Sequence, residues 1–385
     1  MFTKCNTLYK KMLDRIILFP YTIALAIRNA VYRKGSKKVR KAEVPTICVG
    51  NITVGGTGKT PHTELILKTL LESETWGGRN VAMLSRGYKR ASKGFQQVMM
   101  FDSARMCGDE PLQIRKKFPI VTVAVDADRI EGCDFLVHPE KVQTEKGGAR
   151  CVHKEFPAAD IIVLDDAYQY RKLGADLNIV LVDWNRPVTT DRLLPFGRLR
   201  DLPGRLYDAD VVIVSKCPPY MEEADKVAFA KTLKFKSFDP VTCVAEASRG
   251  RRVTLLFSSI RYEQRQPVFE STDPHYLYAQ QTLLFSGIAN DAPLVNYLSD
   301  KHNVVWHHSF PDHHKYTRGD ISTILAAVKK HPTASVVTTE KDAQRVLDYK
   351  EMPSKLAERT FMVPISVDFI TEEEKLIFKN IITGI

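Results

Sequence analysis

The run Gly50-Asn51-Ile52-Thr53-Val54-Gly55-Gly56-Thr57-Gly58-Lys59-Thr60 carries the most specific chemistry in the chain. Glycines let backbone N–H groups curl around phosphate oxygens, and a helix starting at the end of the run adds the positive end of its dipole. In such a loop a lysine reaches the β- and γ-phosphates of a nucleoside triphosphate, and the next hydroxyl ligates Mg²⁺. Lys59 and Thr60 fill those places, and Pro61 sits in the first helical turn, where a missing N–H costs nothing. The residues expected around the nucleotide are therefore Thr53, Val54, Gly55, Gly56, Thr57, Gly58, Lys59 and Thr60. Thr53 stands where the usual pattern has a glycine. A glycine-rich turn that merely joins strand to helix is the competing reading. Gly-Lys-Thr lies between an apolar run (44–49) and an apolar periodicity (Leu65, Leu67, Leu70, Leu71), which favours the phosphate site. Two other nucleotide-binding classes fit poorly. Deviant membrane ATPases carry a lysine where Val54 stands, and Ser215-Lys216-Cys217-Pro218 lacks the aspartate of a guanine-reading motif.

Asp160-Ile-Ile-Val-Leu-Asp165-Asp166 ends an apolar strand in two carboxylates. The carboxyl edge of a parallel sheet is where α/β folds hold ligands. With a P-loop upstream, Asp165 or Asp166 is expected to position Mg²⁺, directly or through water; a helix cap is the plainer alternative. Gly108-Asp109-Glu110-Pro111 and Ser85-Arg86-Gly87-Tyr88-Lys89-Arg90 are weak signals on physical grounds alone. Acids favour any first helical turn, and the second run suits any solvated turn. Between Arg192 and Asp201 several cations, Arg198 and Arg200 among them, share a loop with glycine and proline. That suits an anionic group, though stray surface arginines look the same. The stretch 306–314 holds four histidines and Asp312. Adjacent side chains on a strand point to opposite faces and no cysteine joins them, so an acid–base or orienting histidine is a better reading than zinc.

These groups need a scaffold. Near-continuous apolar runs at 80–84, 120–125, 160–164, 178–182 and 210–214 predict parallel strands buried on both faces, hence a doubly wound α/β domain. At 385 residues, 44% of them hydrophobic, the chain is long enough for two cored domains. Composition shifts to a linker near 234–239, followed by a strand-like segment at 253–257 and a polar stretch at 261–274. A second, smaller α/β lobe follows, with strands at 282–285, 303–306 and 334–338 and helices near 293–298 and 321–330. The expected divisions are 1–43, 44–235 and 236–385, with a charged, glycine-bearing surface loop at 139–148. Seven scattered cysteines, never spaced as Cys-x-x-Cys, imply neither a disulfide framework nor zinc and fit a reducing compartment.

The charge is local. Residues 1–43 hold 11 Lys/Arg against Asp14 and Glu43, a net +9 out of +11 for the whole chain. A nucleic-acid binder would spread such charge over a folded face. The apolar stretch 16–27 contains Pro20 and is too short to span a bilayer, which takes about 20 apolar residues. Arg28, Arg33 and a Lys/Arg cluster follow it where a secretory signal would have its cleavage site. A basic amphipathic pair of helices lying on an anionic membrane surface is the expected form, each Lys or Arg contributing about 1 kcal/mol. A helix packed on the domain with a solvated basic face is the alternative.

Taken in order, VGNITVGGTGKTP, LSRGYKR, GDEP, VDADR, LDDAYQYRKL, LLPFGRLRD, VSKCP, FSGIAN, FPDHH and TTEKDA resemble the tetraacyldisaccharide 4′-kinase family, the lipid A kinases of Gram-negative bacteria. The resemblance runs over nearly the whole chain. It implies two α/β lobes around a cleft and an N-terminal membrane-associating element. It also implies transfer of the γ-phosphate of ATP, with Mg²⁺, to the 4′-hydroxyl of a tetraacyl disaccharide 1-phosphate at the cytoplasmic face of the inner membrane. The partners implied are that lipid precursor and an anionic membrane surface, with no nucleic acid and no obligate protein. By motif, Asp109 resembles the catalytic aspartate and His313 its partner. Lys59 would neutralise the transferring phosphoryl, with Mg²⁺ held by Thr60, Asp165 and Asp166. Arg86, Tyr88, Arg129, Gln169, Arg198 and Arg200 would face the sugar and its 1-phosphate. Tyr170 stands where many relatives have a histidine near the substrate. A membrane-associated P-loop regulatory ATPase that phosphorylates no lipid is the alternative from another class.

Overall fold

The structure is a computed structural model describing residues 2–35 and 37–385. The side chains of residues 2–16, which include Lys4, Lys10, Lys11 and Arg15 of the basic segment, lie outside the described residues, as does that of Arg249. In chain order the strands are β1 (Thr46–Asn51), β2 (Val81–Ser85), β3 (Gln96–Gln97), β4 (Thr122–Val125), β5 (Ile161–Asp165), β6 (Leu177–Asp183), β7 (Val211–Ser215) and β8 (Ser237–Asp239). Then come β9 (Val244–Glu246), β10 (Arg252–Tyr262), β11 (Gln266–Pro267), β12 (Gln281–Ser286), β13 (Asn303–Ser309), β14 (Ser335–Thr339), β15 (Thr360–Val363) and β16 (Ile365–Phe369).

The larger sheet runs β3-β4-β2-β5-β1-β6-β7-β10-β9-β8, with β16 beside β10. From β4 to β10 the pairings are parallel; β3, β8, β9 and β16 add antiparallel edges. Every residue of β1, β2, β4, β5 and β7 is buried, because helices cover both faces. The chain leaves β1 outward to β2 and β4, returns through β5, and continues on the other side through β6 and β7. The loops after β1 and β5 therefore meet at a switch point, where such sheets bind ligands. Register fixes the detail, for Val49 pairs with Asp165 one residue before the glycine loop begins.

A second sheet, β11-β15-β14-β12-β13, is parallel except at β11 and has its own core around Leu283, Phe285, Ile324 and Val336. The boundary expected at 235/236 falls inside the larger sheet, since β8, β9 and most of β10 belong to it. The chain also returns at its end. The helix Glu372–Thr383 places Phe378 and Ile382 in the same core cluster as Ile66, Leu67 and Leu70 of the helix Lys59–Leu71. The loop expected at 139–148 contains two short helical turns, Lys141–Thr144 and Lys146–Arg150, that bury Val142.

The N-terminal segment is one helix, Phe2–Arg33, rather than a pair, and it runs through Pro20. Packing on either side of the proline accounts for its continuity: Leu18 lies against the core and Leu25 is 4% exposed within it. Arg28 and Asn29 share the buried Asp201 carboxylate at 2.7 and 2.9 Å, and Arg33 reaches Asp208 at 3.1 Å. Ile17, Phe19, Tyr21, Ile23 and Ile27 remain exposed on the same helix.

Candidate active site

The glycine loop is built against the arginine loop. Thr53 bridges Leu199, the Val54 N–H donates to the Arg198 carbonyl at 2.7 Å, and the Arg200 N–H donates to the Ile52 carbonyl at 2.8 Å. Thr53 is thus extended, buried backbone, and the glycine of the usual pattern is not needed there. The left-handed turns fall at Gly55 (φ +109°) and Gly58 (φ +83°), where only glycine is free of strain. Val54 spends its N–H on Arg198 and Thr57 donates to the Gly55 carbonyl at 3.0 Å. The Thr57 hydroxyl accepts from Asn51 Nδ2 at 2.8 Å, and its carbonyl accepts from the Ser215 hydroxyl at 2.8 Å. Behind the loop, buried His62 sets Nδ1 2.7 Å from the Gly58 carbonyl and Nε2 2.9 Å from the Ser258 hydroxyl. Burial pushes this imidazole down to about 4, so it stays neutral and donates from Nδ1.

Asp165 and Asp166 divide. Asp166 faces Lys59 Nζ at 3.8 Å and Arg200 Nη1 at 3.1 Å. Burial pushes its carboxyl up, but these cations outweigh burial and hold it below the usual range. Among the described residues Asp165 has only the Ser85 hydroxyl on Oδ2, at 3.3 Å, and its buried Oδ1 has no partner. Burial, then Glu110 and Asp166, push it up to about 6. The Thr60 hydroxyl stands 3.5 Å from Glu110 Oε1 on the same side. An orphaned buried carboxylate oxygen in a crowd of acids beside a threonine hydroxyl fits a hard divalent cation.

Next to Glu110, Asp109 opens the helix Asp109–Lys117. Its Oδ2 lies 3.2 Å from His313 Nδ1, which is carried by the loop after β13 of the second sheet. His313 adopts a left-handed turn (φ +58°), donates its N–H to the Gly287 carbonyl at 3.1 Å, and meets the Tyr88 ring edge-on at 5.6 Å. The neighbouring histidines are occupied separately. His307 bonds Asp291 and His314 bonds Asp320, both at 2.9 Å, while His308 stacks with Trp306. Among the described residues the acid–histidine group close enough to share a cation is elsewhere, at Glu43, Asp134 and His138, where Lys141 already holds Asp134 at 2.6 Å.

The residues expected at the sugar are placed unequally. Arg86, Tyr88 and Arg198 are exposed, and Arg198 crowds Gly55. Arg200 is committed to Asp166, and Gln169 donates to the Asn51 carbonyl at 3.3 Å. Arg129 is 2% exposed and bonds the carbonyls of Asp126 and Asp165. It buttresses the end of β5 rather than opening to solvent. Tyr170 donates to Asp128 Oδ1 at 2.8 Å, the same oxygen that caps the helix Arg129–Val137.

Motif reading assigned no role to the helix Glu340–Leu347, yet it crosses to the first lobe. Lys341 bonds Glu110, Glu340 faces Lys117 at 3.4 Å, Gln344 meets Lys116 at 2.8 Å, and Arg345 grips Asp109. Thr339, which starts this helix, caps it through Asp342 N at 3.1 Å. The only signal available was the run Thr338-Thr339-Glu340-Lys341-Asp342-Ala343, which carries no chemistry by spacing.

A family model described as tetraacyldisaccharide-1-P 4′-kinase (LpxK) matches residues 12–382. A protein of Parabacteroides distasonis named tetraacyldisaccharide 4′-kinase is 36% identical over 379 residues, covering 95% of this chain and 94% of that one. One of the same name from Phocaeicola vulgatus is 35% identical, covering 94% and 91%. Among solved structures, LpxK from Aquifex aeolicus in complex with ATP is similar with a TM-score of 0.64 and 26% identity, over 96% of this chain and 99% of that one. Matched along almost its whole length by the family model and by these relatives, the chain belongs to the tetraacyldisaccharide 4′-kinase family.

Proposed function

We propose that this chain transfers the γ-phosphoryl group of ATP to the 4′-hydroxyl of a tetraacyl disaccharide 1-phosphate, and that the Asp109–His313 pair handles the hydroxyl proton. The observation that carries the reading is the convergence of a P-loop, an orphaned Asp165 oxygen and an interlobe carboxylate–imidazole pair. Proton transfer by such a pair assists attack on phosphorus. Lys59, 3.8 Å from Asp166, would offset charge on the transferring phosphoryl. Thr60 and Asp165 would hold Mg²⁺, which when bound neutralises phosphate oxygens. Exposed Arg86, Tyr88 and Arg198 would meet the sugar and its anionic group, while Arg129, Gln169 and Arg200 support the loops beneath.

Among the described residues no helix is long and apolar enough to cross a membrane. The exposed apolar residues of the helix Phe2–Arg33, together with Lys34, Lys37, Lys38 and Arg40, support docking on an anionic bilayer surface, taken here as the cytoplasmic face of the inner membrane. The test is incubation with γ-labelled ATP, Mg²⁺ and tetraacyl disaccharide 1-phosphate in detergent micelles, followed by separation of the lipids. A labelled bis-phosphorylated lipid is expected, reduced at least ~10²-fold by Lys59→Ala and by Asp109→Asn. ATP consumed with no labelled lipid would overturn the reading in favour of a regulatory ATPase.

A further inference from the structure

Both oxygens of Asp109 are occupied. Oδ1 accepts the Glu110 N–H at 3.1 Å. Oδ2 faces His313 Nδ1 at 3.2 Å and Arg345 Nε at 3.0 Å, with Arg345 Nη2 on the same atom. A guanidinium can only donate, so Oδ2 is an acceptor toward Arg345. His313 Nδ1 also lies 3.3 Å from Arg345 Nη2, which can only donate; the Asp109 oxygen at 3.2 Å is the acceptor it faces, which places the hydrogen on Nδ1 and leaves the lone pair on Nε2. Arg345 itself is fixed. Its side chain is 8% exposed, and Nη1 donates to Asp342 Oδ1 and to the Gly287 carbonyl, each at 2.8 Å. That carbonyl also accepts the His313 N–H. A single arginine therefore touches the carboxylate and the backbone atom that fixes the turn bearing the histidine.

We propose that Arg345 is a positioning residue for phosphoryl transfer: by gripping Asp109 Oδ2 and the Gly287 carbonyl together, it holds the carboxylate and the turn bearing His313 in the mutual register that proton transfer from the sugar hydroxyl needs. The proposal rests on the lipid-kinase reading above. In the step, the hydroxyl oxygen bonds to the γ-phosphorus. The bond from that phosphorus to the oxygen bridging to the β-phosphate breaks, and its electron pair leaves on ADP. The hydroxyl proton passes to the Asp109–His313 pair. Docking of the helix Glu340–Leu347 does not depend on Arg345 alone, because the Lys341–Glu110, Glu340–Lys117 and Gln344–Lys116 contacts persist without it.

The test compares the full chain with Arg345→Gln and Arg345→Lys, reading kcat, KM for ATP, Tm and the ¹⁵N resonances of the His313 ring. Arg345→Gln should lower kcat by roughly 10²-fold, the scale of a small misplacement at a reacting centre. KM for ATP and Tm should stay near the starting values, and Arg345→Lys or added guanidinium should restore part of the rate. Undiminished kcat in Arg345→Gln would overturn the proposal. So would a loss that follows Tm and is rescued by neither, since that marks a structural role. A wild-type spectrum with the hydrogen on Nε2 overturns its assignment to Nδ1. Failure of the parent reading is separate, as the unsubstituted protein would then label no lipid.

Discussion

Asp165 and Asp166 follow one another in the chain, yet Asp166 already has Lys59 and Arg200 against it while Asp165 has an oxygen with nothing. Spacing alone made them one pair; the direction each side chain takes at the end of β5 separates them. The turn at Gly58 and the helix that starts at Lys59 were legible because a phosphate-loop pattern needs consecutive residues. Arg345 was not, because it acts on a carboxylate 236 positions away. His62 gives a residue-scale prediction. Its folded pKa of about 4 lies below the ordinary 6.5, so the unfolded chain binds the extra proton between those values. Stability contributed by the neutral ring is complete above pH 6.5 and is lost as pH falls toward 4. Thermal melts at pH 7 and pH 5 should show His62→Gln losing less Tm on acidification than the unsubstituted protein. An equal loss in both would mean that His62 is not the group being protonated.

At the scale of elements, strands buried on both faces could be read directly, and β2, β4, β5, β6 and β7 each lie within a residue or two of the apolar runs that announced them. The short edge strand β8 reads as a linker because its ends are exposed and it has no continuous apolar run. The strand β16 went unread for a similar reason, since it is only half-buried, whereas β15 is buried but only four residues long, with Pro364 right after it. Neither could the apolar pattern show whether Pro20 ends a helix. The contacts of Leu18 and Leu25 on both sides of it decide that. The same helix supports a prediction. Phe19→Ser, Ile23→Ser and Ile27→Ser together remove three exposed apolar side chains. Each buried side chain of this kind is worth about 1.5–3 kcal/mol, so binding to anionic vesicles should fall by far more than ~10-fold. Cosedimentation of the triple variant at the level of the unsubstituted protein would remove the helix from the membrane contact.

For the whole molecule, two α/β lobes were foreseeable from length and strand spacing, but their division was not. The larger sheet recruits β8, β9, β10 and β16, and the terminal helix folds back on the helix Lys59–Leu71. Glu374 of that terminal helix is buried with Lys226 at 3.1 Å and also accepts the Phe257 N–H at 3.1 Å. Breaking such a pair leaves a buried charge, and Glu374→Ala should cost about 3–5 kcal/mol of unfolding free energy. Urea titration followed by nucleotide fluorescence would check this, with the P-loop lobe losing ATP at lower denaturant. An unchanged midpoint would show that the return of the chain contributes little.

That return also sets a timetable. A ribosome delivers Ile66 and Leu67 early, but Phe378 and Ile382, which complete their core, come last. Throughout translation the nucleotide lobe has one flank open, and it closes only after the lobe bearing His313 and Arg345 has been made. The core behind the glycine loop is thereby completed only after the residues proposed above to handle the sugar hydroxyl have been made.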